Sequence, residues 1–392
     1  MDSRIQAVAN ASLAKNVPAT AEYGKQMMEL TGESGHGEEC VAGAAVVLRV
    51  EDFSVLAAAT FPNYDLNRYQ EDPDYFTQLN EDETRPMFNR AFDGTFAPGS
   101  CFKPIVALGA LQENVITGND TVFCNHTYTY WDDYQPTCMG WHGTMNVASA
   151  LQKSCNIFFY DVGRRLGVDM INLYAKSMGC GVRTGVEIGE AEGTLSGPQY
   201  DSNWQGGQVV QAAIGQSNDS FSPLQLATAA ATIANNGVRL ETHVVDKITN
   251  YARDTVLQEK EAVVAQETGI SQENLDLVKQ GMRAVCQYGG TAAGTFGNYG
   301  IAIAGKTGTA EITGHSDNVT FIGFAPYDDP EIAVAVVLEY GANSAYSLAI
   351  AKDLFDAYFY GTYVDEQGNI VFPGTENTGD GLSSAASSSP EA

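Results

Sequence analysis

Apolar residues that recur every three or four positions predict most of the helices in this chain. One long helix is predicted over residues 2–31, with an interruption near Pro18 because proline lacks the N–H that a helix interior uses. Further helices are predicted from Ser100 to about Glu113 and over 145–178, 223–236, 271–288 and 345–360. The last of them is amphipathic, and we expect it to pack across a sheet.

Shorter apolar runs predict the strands. Residues 41–50 and 54–60 form a predicted hairpin, and strands around Lys306, at 319–326 and at 331–340 complete the sheet. Two more strand-like segments are at 242–249 and 254–258. The segments with the polar or glycine-rich composition of loops are 32–39, 63–90 and 181–210. The segment 375–392 has almost no large apolar side chains, so we expect it to be disordered.

Composition bounds the class of protein. The chain of 392 residues is 44% hydrophobic, which is enough to bury a full core in one large domain or two ordinary ones. Its formal net charge is -27, and so acidic a surface repels phosphate, which excludes nucleic acid and anionic lipid headgroups as direct partners. No apolar run reaches the roughly 18 residues that cross a bilayer, and the residues after Met1 do not resemble a signal peptide.

The first candidate for chemistry is Ser100 with Lys103. Pro98-Gly99 breaks the chain just before an apolar run of helical spacing, so we expect Ser100 at a helix N-terminus with Lys103 one turn on. Residues three apart share a helix face, so the Lys103 amine can take the proton of the Ser100 hydroxyl. The helix N-terminus also favours negative charge on a carbonyl oxygen that is attacked there.

The second candidate is Ser154-Cys155-Asn156, which lies between two apolar helical segments. A hydroxyl and an amide at such a junction can face a cleft, where Ser154 relays a proton and Asn156 holds a substrate amide. The plain alternative is that this segment caps a helix.

The third candidate is Lys306-Thr307-Gly308-Thr309, in a segment that alternates like a strand. Lys306 offers positive charge, Thr307 a hydroxyl and Thr309 a backbone N–H. Together these groups suit a carboxylate-bearing substrate whose carbonyl becomes an oxyanion. Gly308 is expected to omit a side chain that would block the backbone of a ligand.

Two further matches to these patterns are set aside. Ser12-Leu13-Ala14-Lys15 lies inside an amphipathic helix pattern, where we expect its serine and lysine on a solvated face. Ser316-Asp317-Asn318 lies in the predicted turn between two late strands and follows the third motif.

The three motifs, in this order, resemble the active-site signature of the penicillin-binding proteins and serine β-lactamases. The similarity extends to the first hairpin, to Ile214-Gly215-Gln216 and to the segment 321–326, and it covers residues 1 to about 362. The length of the chain, and the lack of a Glu-x-x-Leu-Asn motif like that of class A β-lactamases, favour the transpeptidase domain of a class B penicillin-binding protein. The resemblance implies an α/β protein of the α+β type. In it, a five-stranded, mainly antiparallel sheet is flanked by helices, with a helical subdomain inserted at about 105–300.

The resemblance also implies a peptidoglycan D,D-transpeptidase that cross-links stem peptides and is acylated by β-lactams. The implied catalytic residues are Ser100 as nucleophile, Lys103 as base, Ser154 as proton relay and Lys306. The implied substrate-binding residues are Asn156, Thr307, Gly308 and Thr309. Backbone N–H groups of Ser100 and Thr309 are expected to form the oxyanion hole, and no organic cofactor is implied.

Class B members carry a membrane helix and a pedestal domain before this point in their sequences. The resemblance therefore implies an anchor and a pedestal in a parent protein, and action at the outer face of the bacterial cytoplasmic membrane. Peptidoglycan stem peptides and β-lactams are the implied ligands, and a glycosyltransferase of the cell-wall machinery is an implied partner. Residues 363–392 are assigned to a C-terminal tail that follows the transpeptidase domain.

A cluster of thiols and imidazoles precedes and overlaps the second motif. Cys124, Cys138, His142 and Cys155 have a spacing that can supply four tetrahedral zinc ligands. Some elongation-type penicillin-binding proteins hold zinc beside the active site, with a histidine and a downstream cysteine at similar separation. A Cys124–Cys138 disulfide and free buried thiols remain as alternatives.

Two other functions stay open at this point. A carboxypeptidase or β-lactamase shares the acylation step but activates water for deacylation. A non-catalytic β-lactam sensor or scaffold binds without needing the nucleophile.

Overall fold

The computed structural model describes residues 1–374, and its elements follow the predicted order closely. In chain order the strands are β1 (Ala42–Arg49), β2 (Val55–Phe61), β3 (Val122–Cys124), β4 (Gly143–Met145), β5 (Val238–Leu240), β6 (Lys247–Thr249), β7 (Val256–Glu259), β8 (Val264–Glu267), β9 (Ala304–Ala310), β10 (Asn318–Ala325), β11 (Ile332–Glu339), β12 (Tyr363–Val364) and β13 (Ile370–Val371). The helices are α1 (Ser3–Thr31), α2 (Leu66–Glu71), α3 (Pro73–Glu81), α4 (Lys103–Gln112), α5 (Val147–Gln152), α6 (Asn156–Leu166), α7 (Val168–Ser177), α8 (Gln208–Ala212), α9 (Pro223–Ala234), α10 (Gln272–Val285), α11 (Ala293–Phe296) and α12 (Ser344–Phe359).

One five-stranded sheet forms the centre of the fold. Its strand order is β2-β1-β11-β10-β9, and every neighbouring pair is antiparallel. The predicted α+β class and five-stranded sheet are thus confirmed. The strand that carries the third motif, β9, lies at an edge, so one side of it is open to other elements.

Both faces of the sheet are buried, which explains why its strands are continuous apolar runs. In β1, Ala44, Val46 and Leu48 belong to one hydrophobic core, and the alternating Ala45 and Val47 belong to a second. The second core is closed by α1 and α12, which pack against each other and against the sheet. The first core is closed by α9 and by the helices between β2 and β9.

The helix α4 runs through the middle of the first core. Its residues from Lys103 to Leu111 are all buried, and it packs against α6, α7 and α10. Packing around the start of this helix therefore removes Lys103 from solvent. The turn that precedes Lys103 packs against the edge strand β9.

Two local predictions need correction. The helix α1 continues through Pro18 without interruption, because its flanking residues Leu13 and Val17 are buried and tertiary packing outweighs the lost hydrogen bond. The predicted loop 63–90 contains the short helices α2 and α3. Asp65 and Asp72 cap them by accepting backbone N–H groups, a signal that polar composition alone conceals.

The C-terminal part of the described chain is short and ordered against α1. The hairpin of β12 and β13 lies within the segment assigned to a tail, and both strands contact α1. The disorder predicted for 375–392 falls outside the described residues. Within residues 1–374, none of the helices combines the length and the hydropathy needed to cross a bilayer.

Candidate active site

Ser100 lies in a single 3₁₀ turn, Gly99–Phe102, that leads directly into α4. The prediction that Ser100 begins a helix is confirmed with one refinement, since the α-helix itself begins at Lys103. Gly99 has a φ of 53° and its N–H donates to the Gly215 carbonyl at 3.0 Å. A Cβ on Gly99 would lie 2.4 Å from the Thr309 carbonyl oxygen, so the backbone of the turn packs directly against the edge strand β9.

Gly308 has a different structural role from the one its motif suggested. A Cβ at this position would lie 2.5 Å from the Pro98 carbonyl oxygen and 3.0 Å from the Cys101 Sγ. The close approach that Gly308 permits is therefore that of the turn bearing Ser100, which belongs to the chain itself. This contact, together with Gly99 against Thr309, places the first and third motifs side by side.

Lys103 reaches the second motif. Its fully buried Nζ donates to the Ser154 carbonyl at 2.8 Å, to the Asn156 Oδ1 at 2.7 Å and to the Ser154 Oγ at 3.3 Å. The half-buried Ser100 hydroxyl makes no hydrogen bond to Lys103 in the described part of the chain, so the expected contact is not formed in this state. Catalytic hydrogen bonds commonly tighten only when substrate binds.

Ser154 occupies a strained turn between α5 and α6. Its φ of 54° lies in the left-handed region, which a serine rarely adopts and which functional sites often contain. The turn directs the Ser154 hydroxyl toward both lysines, because Oγ also accepts from the Lys306 Nζ at 2.9 Å. The segment is thus more than a helix cap, and the three motifs converge on one oxygen atom.

Lys306 and Thr307 are held by the edge strand and its surroundings. The buried Lys306 Nζ donates to the Thr307 carbonyl at 2.8 Å as well as to Ser154. The Thr307 Oγ1 lies 2.6 Å from the Thr291 Oγ1. The sequence analysis did not identify Thr291 as a site residue. The only signal for it is the Gly289-Gly290-Thr291 segment, which has the composition of a turn.

The two lysines have unequal proton affinities. Burial, and next the charge of Lys306, hold the pKa of Lys103 well below its ordinary value. Burial lowers the pKa of Lys306 to about 8. Two ammonium groups in one dry pocket repel each other, so the more strongly perturbed group gives up its proton first. Burial therefore favours the uncharged amine more strongly at Lys103 than at Lys306.

A cleft reaches this group of residues at Asn156. Its cavity of about 470 Å³ is lined by polar side chains that include Asn156, Gln211, Ser217 and Glu311. A second cavity of about 720 Å³ adjoins it and shares Tyr134 as a wall. Both volumes fall in the range of binding sites for small molecules and peptide ends.

The cysteine and histidine cluster lies directly beside the second motif. Ligand atoms of Cys124, Cys138, His142 and Cys155 all lie within 4.8 Å of one another. The Cys138 Sγ accepts the backbone N–H of Asn156 at 3.2 Å, and its hydrogen bond with Cys155 lowers the pKa of the Cys138 thiol. The structure holds Cys124 and Cys138 as free thiols rather than as a disulfide.

The two patterns that were set aside lie elsewhere. Ser12 is in α1, where its hydroxyl donates to the Asp353 carboxylate at 2.6 Å. Its predicted exposure is wrong, because Ser12 is fully buried against α12. Ser316 lies in the connection between β9 and β10, as predicted. Its Oγ accepts the Gly37 N–H.

A serine at the entrance of a buried helix, two buried lysines and a second serine between them make up the class of site that nucleophilic serine catalysis uses. Comparison with known families points to the same class. The sequence profile of the penicillin binding protein transpeptidase domain matches residues 43–359. The chain belongs to this family.

Curated relatives share the family at moderate identity. The chain is 27% identical over 391 residues to the peptidoglycan D,D-transpeptidase MrdA of Acinetobacter baumannii, covering 93% of this chain and 56% of the relative. It is 31% identical over 350 residues to MrdA of Haemophilus influenzae, covering 81% of this chain and 52% of the relative. The chain thus spans about half the length of these relatives.

Solved structures are similar in fold over most of the chain. Pseudomonas aeruginosa PBP2 in complex with WCK 5153 has a TM-score of 0.76 at 28% identity, covering 94% of this chain and 79% of that one. Penicillin-binding protein A of M. tuberculosis, as a ceftriaxone acyl-enzyme complex, has a TM-score of 0.72 at 26% identity, covering 82% and 74%.

Proposed function

We propose that this domain is a peptidoglycan D,D-transpeptidase that cross-links stem peptides through an acyl-enzyme on Ser100. One observation supports the proposal most directly. Lys103 and Lys306 both contact Ser154, and Lys103 directly follows the turn that carries Ser100. The lowered pKa of Lys103 favours the uncharged amine that a general base one turn from Ser100 requires, and the neighbouring Lys306 suits an anionic substrate end.

The reaction follows from these groups. The Lys103 amine takes the Ser100 proton while Oγ attacks the carbonyl carbon between two D-alanine residues. Backbone N–H groups of Ser100 and Thr309 stabilise the oxyanion, and the terminal carboxylate pairs with Lys306 beside Thr307 and Thr309. The C–N bond breaks, the departing D-alanine amine receives a proton through Ser154, and an amine from a second stem peptide then attacks the ester and regenerates Ser100.

Asn156 is proposed to orient the donor peptide, and Gly308 to keep the serine-bearing turn seated on β9. The Asn156 Oδ1 accepts from Lys103, which leaves its amide N–H groups directed toward the cleft side and the Thr137 carbonyl. Because the Asn156 Nδ2 carries two N–H groups, it can still donate to a peptide carbonyl of the substrate.

The test is the site and lifetime of a penicillin adduct. Intact-protein mass spectrometry is expected to show one stable adduct that maps to Ser100 and is lost in Ser100→Ala. Ser12→Ala is the matched control, since Ser12 has the same Ser-x-x-Lys spacing but is buried against Asp353. An adduct that decays within minutes would favour the hydrolase, and a Ser100→Ala variant that still cross-links in cells would favour a sensor or scaffold.

We also propose that Cys124, Cys138, His142 and Cys155 hold a structural zinc ion. The close grouping of their ligand atoms and the thiolate character of Cys138 support a tetrahedral site. Such an ion would supply folding energy and brace the Ser154 turn, with no part in the acyl transfer. Metal analysis is expected to find about one zinc more per chain in the wild type than in a variant that lacks this site. Cys138→Ser should lose the ion, while the control Cys180→Ser, at a buried free thiol elsewhere, should retain it.

We propose that the parent protein acts at the outer face of the cytoplasmic membrane beside a glycosyltransferase that polymerises the glycan. A structure described as coordinating polymerization and crosslinking in a peptidoglycan synthase complex supports this, with a TM-score of 0.78 at 27% identity over 91% of this chain and 61% of that one. Protease added to intact spheroplasts should digest the protein, and an affinity-tagged parent should recover the polymerase. Protection from the protease would contradict the location.

A further inference from the structure

Two carboxylates and a buried imidazole that belong to none of the three motifs lie close together. Asp52 lies in the turn between β1 and β2, and His243 and Asp246 lie in the segment between β5 and β6. One ligand atom from each of these three residues lies within 4.8 Å of the others. The sequence separation of about 190 residues means that only the tertiary fold assembles the group.

The imidazole lacks partners in this environment. His243 is only 1% exposed, and within residues 1–374 neither of its ring nitrogens has a hydrogen-bond partner. An isolated backbone β-bridge between Ser54 and His243 holds the ring beside the β1–β2 turn. A buried polar group left without a partner destabilises the folded state, so a ligand that engages the ring would stabilise the fold.

The charges around His243 favour a cation. Asp52, Asp246 and Glu187 bring three carboxylates to this segment, and the Glu187 carboxylate accepts backbone N–H groups from Val244 and Val245. Arg49 pairs with Asp52 at 3.0 Å, and Lys247 and Lys260 line a neighbouring cavity together with Glu187 and Asp246. The carboxylates of Asp52 and Asp246 are the anionic ligands that a divalent ion needs beside the imidazole.

The carboxylate of Asp52 is already oriented. Its Oδ1 accepts the Ser54 N–H at 2.9 Å and its Oδ2 accepts from Arg49 at 3.0 Å. Each carboxylate oxygen keeps a second lone pair for a metal, and outer hydrogen bonds of this kind fix metal ligands in place. A cavity of about 230 Å³, lined in part by Arg49, Ser54 and Asp246, adjoins the group and leaves room for water ligands.

We propose that Asp52, His243 and Asp246 bind a divalent transition-metal ion such as Zn²⁺. One imidazole with two carboxylates suits Zn²⁺ and Co²⁺, whereas Ca²⁺ and Mg²⁺ prefer oxygen ligands throughout. The ion would tie the β1–β2 turn to the segment that leads into β6. It lies outside the acyl-transfer site and does not depend on the function proposed above.

The test is a Co²⁺ titration of the metal-free full chain, followed by absorption spectroscopy and metal analysis. Thiolate ligands give intense near-ultraviolet charge-transfer bands, so Co²⁺ at the cysteine cluster is distinguished from Co²⁺ at a nitrogen and oxygen site. The wild type is expected to bind one more Co²⁺ than His243→Gln at micromolar free metal, and that ion should contribute no thiolate band.

Two variants keep the result decisive. Asp246→Asn alters an exposed side chain that makes no side-chain hydrogen bond in the described residues, so it should fold normally and weaken Co²⁺ binding about tenfold or more. His315→Gln is the control, an exposed histidine beside Glu39, and should keep the wild-type stoichiometry. Equal Co²⁺ uptake by the wild type, His243→Gln and Asp246→Asn would overturn the proposal, whatever the result for β-lactam acylation.

Discussion

Lys103 and Lys306 donate to the same atom, the Oγ of Ser154, from distances of 3.3 Å and 2.9 Å. The two lysines come from different elements, one from the start of the buried helix α4 and the other from the edge strand β9. Burial lowers the pKa of both, and the charge of Lys306 lowers that of Lys103 further, so Lys103 is the better proton acceptor and Lys306 the better cation of the two.

Replacing the base is expected to abolish acylation without unfolding the domain. Lys103→Met removes the proton acceptor but preserves a long apolar side chain, and general-base catalysis typically contributes about 10²–10⁴-fold. The second-order rate constant of acylation by a fluorescent penicillin should fall by about that factor. Lys279→Met is the matched control, since Lys279 is a buried lysine bonded to the Ala234 carbonyl and Asn236, away from the cleft. Wild-type acylation by Lys103→Met would assign the base elsewhere.

The acylation rate is expected to fall as pH rises above about 8. Burial lowers the pKa of Lys306 to about 8, so above that pH the side chain loses the charge that pairs with the substrate carboxylate. Lys103 must be neutral to act, which sets an acidic limb at lower pH. Stopped-flow acylation from about pH 6 to about pH 10 measures both limbs.

Lys306→Arg is the diagnostic variant for this profile. Arginine stays charged over the whole range, so its alkaline limb should disappear even if the larger side chain slows the reaction. An alkaline limb that persists unchanged in Lys306→Arg would assign it to another group.

A side chain at Gly308 is expected to unseat the nucleophile. The Cβ of Gly308→Ala would meet the Pro98 carbonyl at 2.5 Å, and this carbonyl belongs to the turn that carries Ser100. We expect a loss of about 1–3 kcal/mol in the free energy of unfolding and a larger proportional loss in acylation rate. Gly294→Ala is the control, because no atom lies within 4 Å of its added Cβ. Normal acylation by Gly308→Ala would show that the turn can move without loss.

A buried carboxyl beside the cleft is expected to control stability with pH. Asp219 is 1% exposed, and burial raises its pKa from 3.8 to about 7. The folded state therefore holds this proton more tightly than the unfolded state, and the stability it contributes is lost as pH rises from about 4 to about 7. Asp219→Asn removes that loss, so the variant should gain about 2–4 kcal/mol relative to the wild type between the acidic and alkaline ends of this window.

Urea unfolding at several pH values measures this gain. Asp329→Asn, in the exposed turn between β10 and β11, is the control and should keep the wild-type pH profile. A difference between Asp219→Asn and the wild type that stays constant with pH would show that Asp219 is ionised in the folded state.

The sequence by itself determined the class of elements, the order of the sheet strands along the chain and the three motifs. These are local properties, because helical spacing, strand-like runs and a Pro-Gly break before Ser100 act over a few residues. The family resemblance extended them to the antiparallel sheet. The continuity of α1 through Pro18 and the capped helices after Asp65 were missed because long-range packing and specific caps decide them.

Only the tertiary structure decided which side chains meet. The contact of Lys103 with Ser154 and Asn156, the hydroxyl pair of Thr291 and Thr307, and the burial that separates the two lysine pKa values all depend on groups distant in sequence. The role of Gly308 in the structure differs from the role predicted from the sequence for the same reason. The backbone that its missing side chain admits is that of Pro98 and not that of a ligand. Desolvation and close packing arise from the whole neighbourhood of a residue, and a linear pattern of residue types does not contain that neighbourhood.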